Sequence, residues 1–350
     1  MTLSPRRPLF VVAAAVLGVL TLAGCARDAE SAPTEPSSPA ASAAATPAAT
    51  PTETPAPPEH TLAFGGDCAN VLGADGLTEL LGEGASPIEM AGWPDTAVGT
   101  LGGIDCRWMA DSARGTDGPG SLTLQVYPMG SVPVELRDEV ASTRCDPSYD
   151  ALICRQGRAA ADVWLIASIL GGMDGSPAAE EEWFLDQVLD LAERRVGTFP
   201  APQRLAAQDT WWKTNTDCEE LGQRMGLEEL MGQGYRTGWW EGNPEEQWEF
   251  RLAASQGVES LCQWFPDYGQ AGAADQALGI TTLRSFPGGA WDDALFVGGE
   301  PIEVDGAERA VRREHDIVAS DGENVVSVSR ISDIATAEDF LARFLRTQQD

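Results

Sequence analysis

Residues 67–84 read DCANVLGADGLTELLGEG, and residues 217–234 read DCEELGQRMGLEELMGQG. Aligned without a gap at an offset of 150, the two stretches share Asp67-Cys68 with Asp217-Cys218 and Gly76-Leu77 with Gly226-Leu227. Glu79-Leu80, Gly82 and Gly84 likewise match Glu229-Leu230, Gly232 and Gly234. Further along, Cys106-Arg107-Trp108 matches Cys262-Gln263-Trp264 at an offset of 156. Tyr127-Pro128 then aligns with Phe286-Pro287, and Val163 to Ile169 with Val325 to Ile331. The offset grows slowly and never resets, which is the pattern of two diverged copies with loop insertions. The repeat sets the expected domain plan: copy one over 61–198 and copy two over 199–350.

Local chemistry gives the elements of one copy. Asp67 and Asp217 can cap a short helical stretch that stops at the glycines of Leu-x-Gly-x-Gly. Leu122-Thr123-Leu124-Gln125-Val126 alternates with the period of a half-buried strand. Asn324 to Ile331, after Asp321-Gly322, has the form of the second arm of a hairpin. Ser176-Pro177 opens the closing helix of copy one, with three glutamates in its first turn and Arg194-Arg195 in its last, matching the helix dipole. Phe184, Val188 and Leu191 share one face of it. In copy two, Thr336 and Asp339 form a capping-box pattern ahead of Phe340, Leu341, Phe344 and Leu345. The expected fold class is α+β: two tandem domains, each an antiparallel sheet covered by helices and stapled by disulfides.

The N-terminus carries a different signal. Arg6 and Arg7 precede an uncharged run from Leu9 to Leu22, of signal-peptide length and too short to span a bilayer comfortably. The run ends in Leu22-Ala23-Gly24-Cys25, which resembles the bacterial lipobox. The resemblance implies cleavage after residue 24 and acylation of Cys25, so residues 1–24 are a signal peptide and the chain is lipid-anchored to the outer face of the plasma membrane. Two acyl chains give stable anchoring. Residues 25–60 carry the lipid and then a linker with eight prolines and no aromatic residue, a composition too polar to fold. Extended at about 3.1 Å per residue, it reaches roughly 110 Å.

Seven cysteines are present, and six remain once Cys25 is lipidated. Outside the membrane the compartment is oxidising. Matching positions in two copies should pair alike, giving Cys68–Cys106 and Cys218–Cys262 and leaving Cys145–Cys154 across a short loop. On the loop-entropy model the long bridges contribute about 4 kcal/mol each and the short one about 3. No Cys-x-x-Cys occurs and only two histidines exist, so no metal site is expected.

Acidic residues number 54 against 23 basic ones, a formal charge of −31 for the chain, of which residues 61–198 carry −14 and residues 199–350 carry −15. Such a chain repels phosphates, which excludes nucleic acid as a partner. The acidity is read as colloidal solubility in preference to calcium binding. Lys213 is the sole lysine beside 22 arginines, a bias of GC-rich genomes.

Lipobox, Ala/Pro/Thr linker, paired cysteines and a later Cys-x-Trp together resemble uncharacterised actinobacterial lipoproteins with paired-cysteine α+β domains. Cys68-Ala69-Asn70-Val71 departs from the Cys-x-x-Leu form of that pattern, and the motifs cover about a tenth of each copy. The resemblance implies a compact α+β domain similar to the sheet-and-helix sandwich of photosystem and nuclear-import accessory proteins. It carries over no catalytic residue, since that family has no established activity.

The chain has no Gly-x-Ser-x-Gly elbow, His-Glu-x-x-His, Ser-x-x-Lys or phosphate loop. His60 falls in the linker and His315 in a charged run, and no cofactor is expected. Of eleven tryptophans, Trp108, Trp264 and Trp248 read as core, and Lys213 as a surface charge beside the packing aromatics Trp211 and Trp212. Trp239-Trp240 stands apart among Gly234, Gly238, Gly242 and Asn243-Pro244. The pair either folds under its loop as a satellite core or is exposed as a ligand-binding patch. The expected function is a cell-surface lipoprotein acting as a non-catalytic binding module for an envelope ligand or protein. The alternatives are an accessory subunit of a membrane complex and an envelope hydrolase.

Overall fold

Two five-residue alternations anchor the architecture. In Leu122-Thr123-Leu124-Gln125-Val126, the leucines and the valine are buried against a helix layer while Thr123 stays half-exposed on the other face. Val325-Val326-Ser327-Val328-Ser329 does the same in the second half. The computed structural model describes residues 60–82, 85, 87–88, 96–109, 121–148, 151–172, 178–214, 217–232, 234–239, 247–266, 280–314, 316–329 and 334–349. Cys25, Trp240 and His315 lie outside them, as do Ser176-Pro177.

The first half begins with helix α1 (Cys68–Leu81) and the short α2 (Thr96–Thr100). Strands β1 (Ile104–Met109) and β2 (Ser121–Pro128), helix α3 (Val134–Val140) and strands β3 (Arg144–Ser148), β4 (Ala151–Ala160) and β5 (Val163–Gly172) follow. The closing helix is α4 (Ala178–Val196). The antiparallel sheet has the order β1-β2-β5-β4-β3. The second half runs α5 (Cys218–Met225), α6 (Glu228–Met231), β6 (Arg236–Thr237), α7 (Trp248–Ser255), β7 (Ser260–Phe265) and β8 (Thr281–Phe286). It continues with β9 (Glu300–Pro301), β10 (Arg309–Arg312), β11 (Asp316–Ser320), β12 (Val325–Ser329) and α8 (Ile334–Gln349). Its sheet has the order β6-β7-β8-β12-β11-β10-β9. Registering Cys106 opposite Leu124 against Cys262 opposite Leu283, β7-β8-β12-β11-β10 repeats the order β1-β2-β5-β4-β3. The chain is thus α+β with two antiparallel sheets, each covered by helices.

The helix layers are built alike. Asp67 Oδ1 accepts from the Ala69 amide at 2.8 Å, and Asp217 Oδ1 from the Glu220 amide at 2.9 Å. Gly82 and Gly232 stop the two helical stretches at φ 92° and 82°. The bridges Cys68–Cys106 and Cys218–Cys262 tie the first helix of each half to its first long strand, both with Cα atoms 5.4 Å apart. Cys145–Cys154 joins residues directly opposite on β3 and β4. Trp108 and Trp264 are 1% and 0% exposed beside the bridges. α4 buries Phe184, Leu185, Val188, Leu189 and Ala192, while Leu191 is only partly covered. α8 buries Phe340, Leu341, Phe344 and Leu345. It begins at Ile334, so Thr336 lies in its first turn rather than at its cap, and Asp339 pairs with Arg343 four residues on.

Between these helix-side cores lies a third. Tyr127, Trp164 and Ile166, on the opposite face of the first sheet, pack in one cluster with Phe286, Val318 and Val325 of the second. Pro55–Asp350 is one compact unit. Its two sheets turn the faces opposite these helix-side cores toward one another, with α2, α3 and α7 packed into the shared core.

Candidate functional site

The third core does not fill the seam. Between the two halves it leaves a cleft of about 630 Å³. From the first sheet it is lined by Asp105 and Arg107 of β1, Thr123 and Gln125 of β2, Ser168 of β5 and Arg155 of β4. From the second half come Glu249 and Phe250 of α7, Glu259, and Thr282 and Arg284 of β8. Tyr127 and Phe286, at matching register positions of the two sheets, also line it.

Strand alternation explains why these residues meet. Cys106, Leu122, Leu124 and Val126 must face the α1–α4 layer, so their neighbours Asp105, Arg107, Thr123 and Gln125 face the seam. Arg107, Thr123, Ser168 and Arg155 are register partners in one row across four strands. Two hydroxyls are therefore flanked by a guanidinium at each end.

The charges are paired. Arg107 Nη2 donates to Asp105 Oδ2 at 3.0 Å, and Gln125 Nε2 donates to the same oxygen at 3.1 Å. Arg155 pairs with Glu249 across the seam at 3.3 Å. Arg284 Nε donates to Glu259 Oε1 at 2.8 Å. The three arginines balance the three carboxylates. Asp105 stands out: its side chain is 2% exposed, and Oδ1 is buried without a hydrogen-bond partner. An unpaired buried carboxylate oxygen costs about 1–3 kcal/mol or more, which a donor from a ligand would recover. Arg155 Nε is buried and unpaired in the same way.

The seam is held by reciprocal contacts on either side. In α2, Thr96 Oγ1 donates to Asp292 Oδ2 at 3.1 Å, and Trp291 Nε1 donates to Thr100 Oγ1 at 3.0 Å. In α7, Trp248 Nε1 donates to the Leu136 carbonyl of α3 at 2.7 Å, and Arg251 pairs with Glu139. Each pre-strand helix thus docks on the segment that follows the second long strand of the other half. Burial pushes the Asp292 carboxyl above the usual range, against the pull of the Thr96 hydroxyl and the Ala294 amide. The hydrogen bond from Arg251 holds Glu139 below its usual range despite partial burial.

Of the residues singled out by sequence, the six cysteines form the three expected bridges. Trp239 follows β6 and is half-buried, away from the cleft lining, and its neighbour Trp240 lies outside the described residues. Trp248 is core, 1% exposed, but on a helix, and its core is the shared one. Lys213 is exposed beside the buried Trp212. His60 belongs to the folded body: its Nε2 lies 2.7 Å from the Gly99 carbonyl and its ring packs edge-on to Trp291. None of the cleft residues stood out as a site in the sequence. The only trace was the polar half of an alternating strand, which usually means solvent. A second, larger groove of about 830 Å³ beside α5, α6 and β6 is lined by Glu219, Glu228 and Glu229, all exposed, with Tyr235. No cluster of three metal-binding side chains occurs among the described residues, and no described helix is long and apolar enough to cross a membrane.

No family model matches the chain, and no curated protein matches its sequence. Among solved structures, the chain aligns with the crystal structure of DynU16, a protein of the dynemicin biosynthetic locus, at 11% identity over 75% of this chain and 93% of that one. The TM-score is 0.13, a likeness that carries no argument about fold or function.

Proposed function

We propose that this chain is a lipid-anchored, non-catalytic binding module of the outer face of the plasma membrane, and that its ligand site is the cleft between the two sheets. In this reading Cys25 is the lipidated residue, residues 26–60 hold the body away from the bilayer, and the two halves are diverged copies of one ancestral domain. The single observation that carries the reading is the buried Asp105 carboxylate, with one oxygen unpaired, on the wall of a cleft large enough for a small organic ligand. The matching strand orders and bridges support the duplication, and the reciprocal seam contacts have the form expected of an interface once formed between two identical chains. The net charge argues against nucleic acid as the ligand.

The test uses the full chain in detergent with a soluble extract of envelope components. A ligand that binds only the folded state raises the melting temperature, by an amount that grows with the logarithm of its concentration over Kd. Wild type is expected to be stabilised, and Ser168→Trp, which fills the cleft with an indole, is expected to show no shift. Equal stabilisation of both, or of neither, contradicts the cleft as the site. Alkyne fatty-acid labelling that disappears in Cys25→Ala checks the anchor separately.

A further inference from the structure

We infer that the cleft takes a neutral, polyhydroxylated ligand, that is, a saccharide; this rests on the cleft being the binding site. Asp105, Glu249 and Glu259 are matched one for one by Arg107, Arg155 and Arg284, so the lining offers no net charge to attract an ion. Each arginine already holds a carboxylate, and an anionic ligand would have to break such a pair and leave a carboxylate uncompensated. A cation at Asp105 Oδ1 would sit beside the guanidinium that already occupies Oδ2. The pairs leave an acceptor, Asp105 Oδ1, and a donor, Arg155 Nε, without partners. Between Arg107 and Arg155, in the same row, stand the hydroxyls of Thr123 and Ser168, with Thr282 on the opposite wall.

A sugar hydroxyl both donates and accepts, so it can give its proton to Asp105 Oδ1 and take one from a neighbouring guanidinium without disturbing either ion pair. Neighbouring strands place Thr123 and Ser168 about 4.8 Å apart, a spacing that suits hydroxyls on different carbons of one ring. Site-bound water would satisfy the same groups singly, but it lacks the fixed spacing.

The experiment measures binding to the full chain in detergent by calorimetry. Methyl glycosides of glucose, galactose, mannose, arabinose and N-acetylglucosamine probe a free sugar, and the corresponding trisaccharides probe a glycan chain. Inorganic phosphate and glycylglycine serve as charged probes. At least one neutral glycoside or trisaccharide is expected to bind. Thr123→Val/Ser168→Ala is expected to weaken it about ten-fold or more, while Thr123→Ser, which keeps the hydroxyl, leaves it within about two-fold. Binding of a charged probe with no neutral sugar bound overturns the inference, as does sugar binding that the double substitution leaves unchanged. Failure of every probe also overturns it. In each of these cases, loss of extract-dependent stabilisation in Ser168→Trp would still support the cleft as the site, so the two readings fail separately.

Discussion

Trp248 links the halves through one hydrogen bond and one ring. Its indole N–H reaches the Leu136 carbonyl and its ring lies 5.7 Å from Tyr127, tilted 52°. Trp248→Phe keeps most of the apolar contact and removes the donor, leaving the Leu136 carbonyl with only its intrahelical bond in α3. The expected cost is about 0.5–1.5 kcal/mol in urea unfolding, and an unchanged midpoint would show that this bond adds nothing net to the docking of the halves. In the sequence, alternation through Trp248-Glu249-Phe250-Arg251-Leu252 marked Trp248 as core and said nothing of which core. A residue's burial follows from its own hydrophobicity and local period. The identity of what covers it depends on the docking of two halves, to which no local pattern is tied. Asp105 was hidden for a related reason: a carboxylate at a polar strand position is ordinarily solvated, whereas this one is covered beside Arg107 and Gln125.

At the scale of elements, the two docking contacts respond to acid in opposite directions. Glu139, on α3, has a lowered folded pKa. The stability it contributes is present above its ordinary value of 4.5 and is lost as pH falls through the lowered one. Glu139 and Arg251 are both more than a third exposed on their outer sides or nearly so, so the contribution is within about 1 kcal/mol. Asp292, beside α2, has a raised folded pKa, so its charge penalises the folded state at neutral pH, and the penalty lifts as pH falls through the raised value. Glu139→Gln should therefore remove part of the acid sensitivity. Asp292→Asn should leave stability at pH 7 equal or higher and make the acid limb steeper. Melting temperatures between pH 3 and 7 check both, and parallel curves for the two variants would contradict these assignments. Strands β2 and β12 and the closing helices were legible because their faces are amphipathic. α2 and α7 were not, because they are short and pack across the seam.

For the whole molecule, the repeat in the sequence pointed to two self-contained copies, and each half does have its own helix-side core and bridges. The sequence could not show that the other face of each sheet is apolar at Tyr127, Trp164 and Ile166 because it meets its counterpart. Residues 61–198 alone, oxidised, are expected to fold but to uncover that face and self-associate, as sedimentation equilibrium would show. A strictly monomeric fragment would mean that the shared core adds little. The site was illegible for the same reason, since a cleft made by two surfaces from separate halves of the chain has no contiguous motif. The most direct test of the central claim is an amide NMR map of the perdeuterated full chain in detergent, titrated with the envelope extract. Perturbations should gather on β1, β2, β5 and β8 around Asp105, Thr123, Ser168 and Arg284. Shifts confined to the outer helices, or to the loop around Trp239, would contradict it.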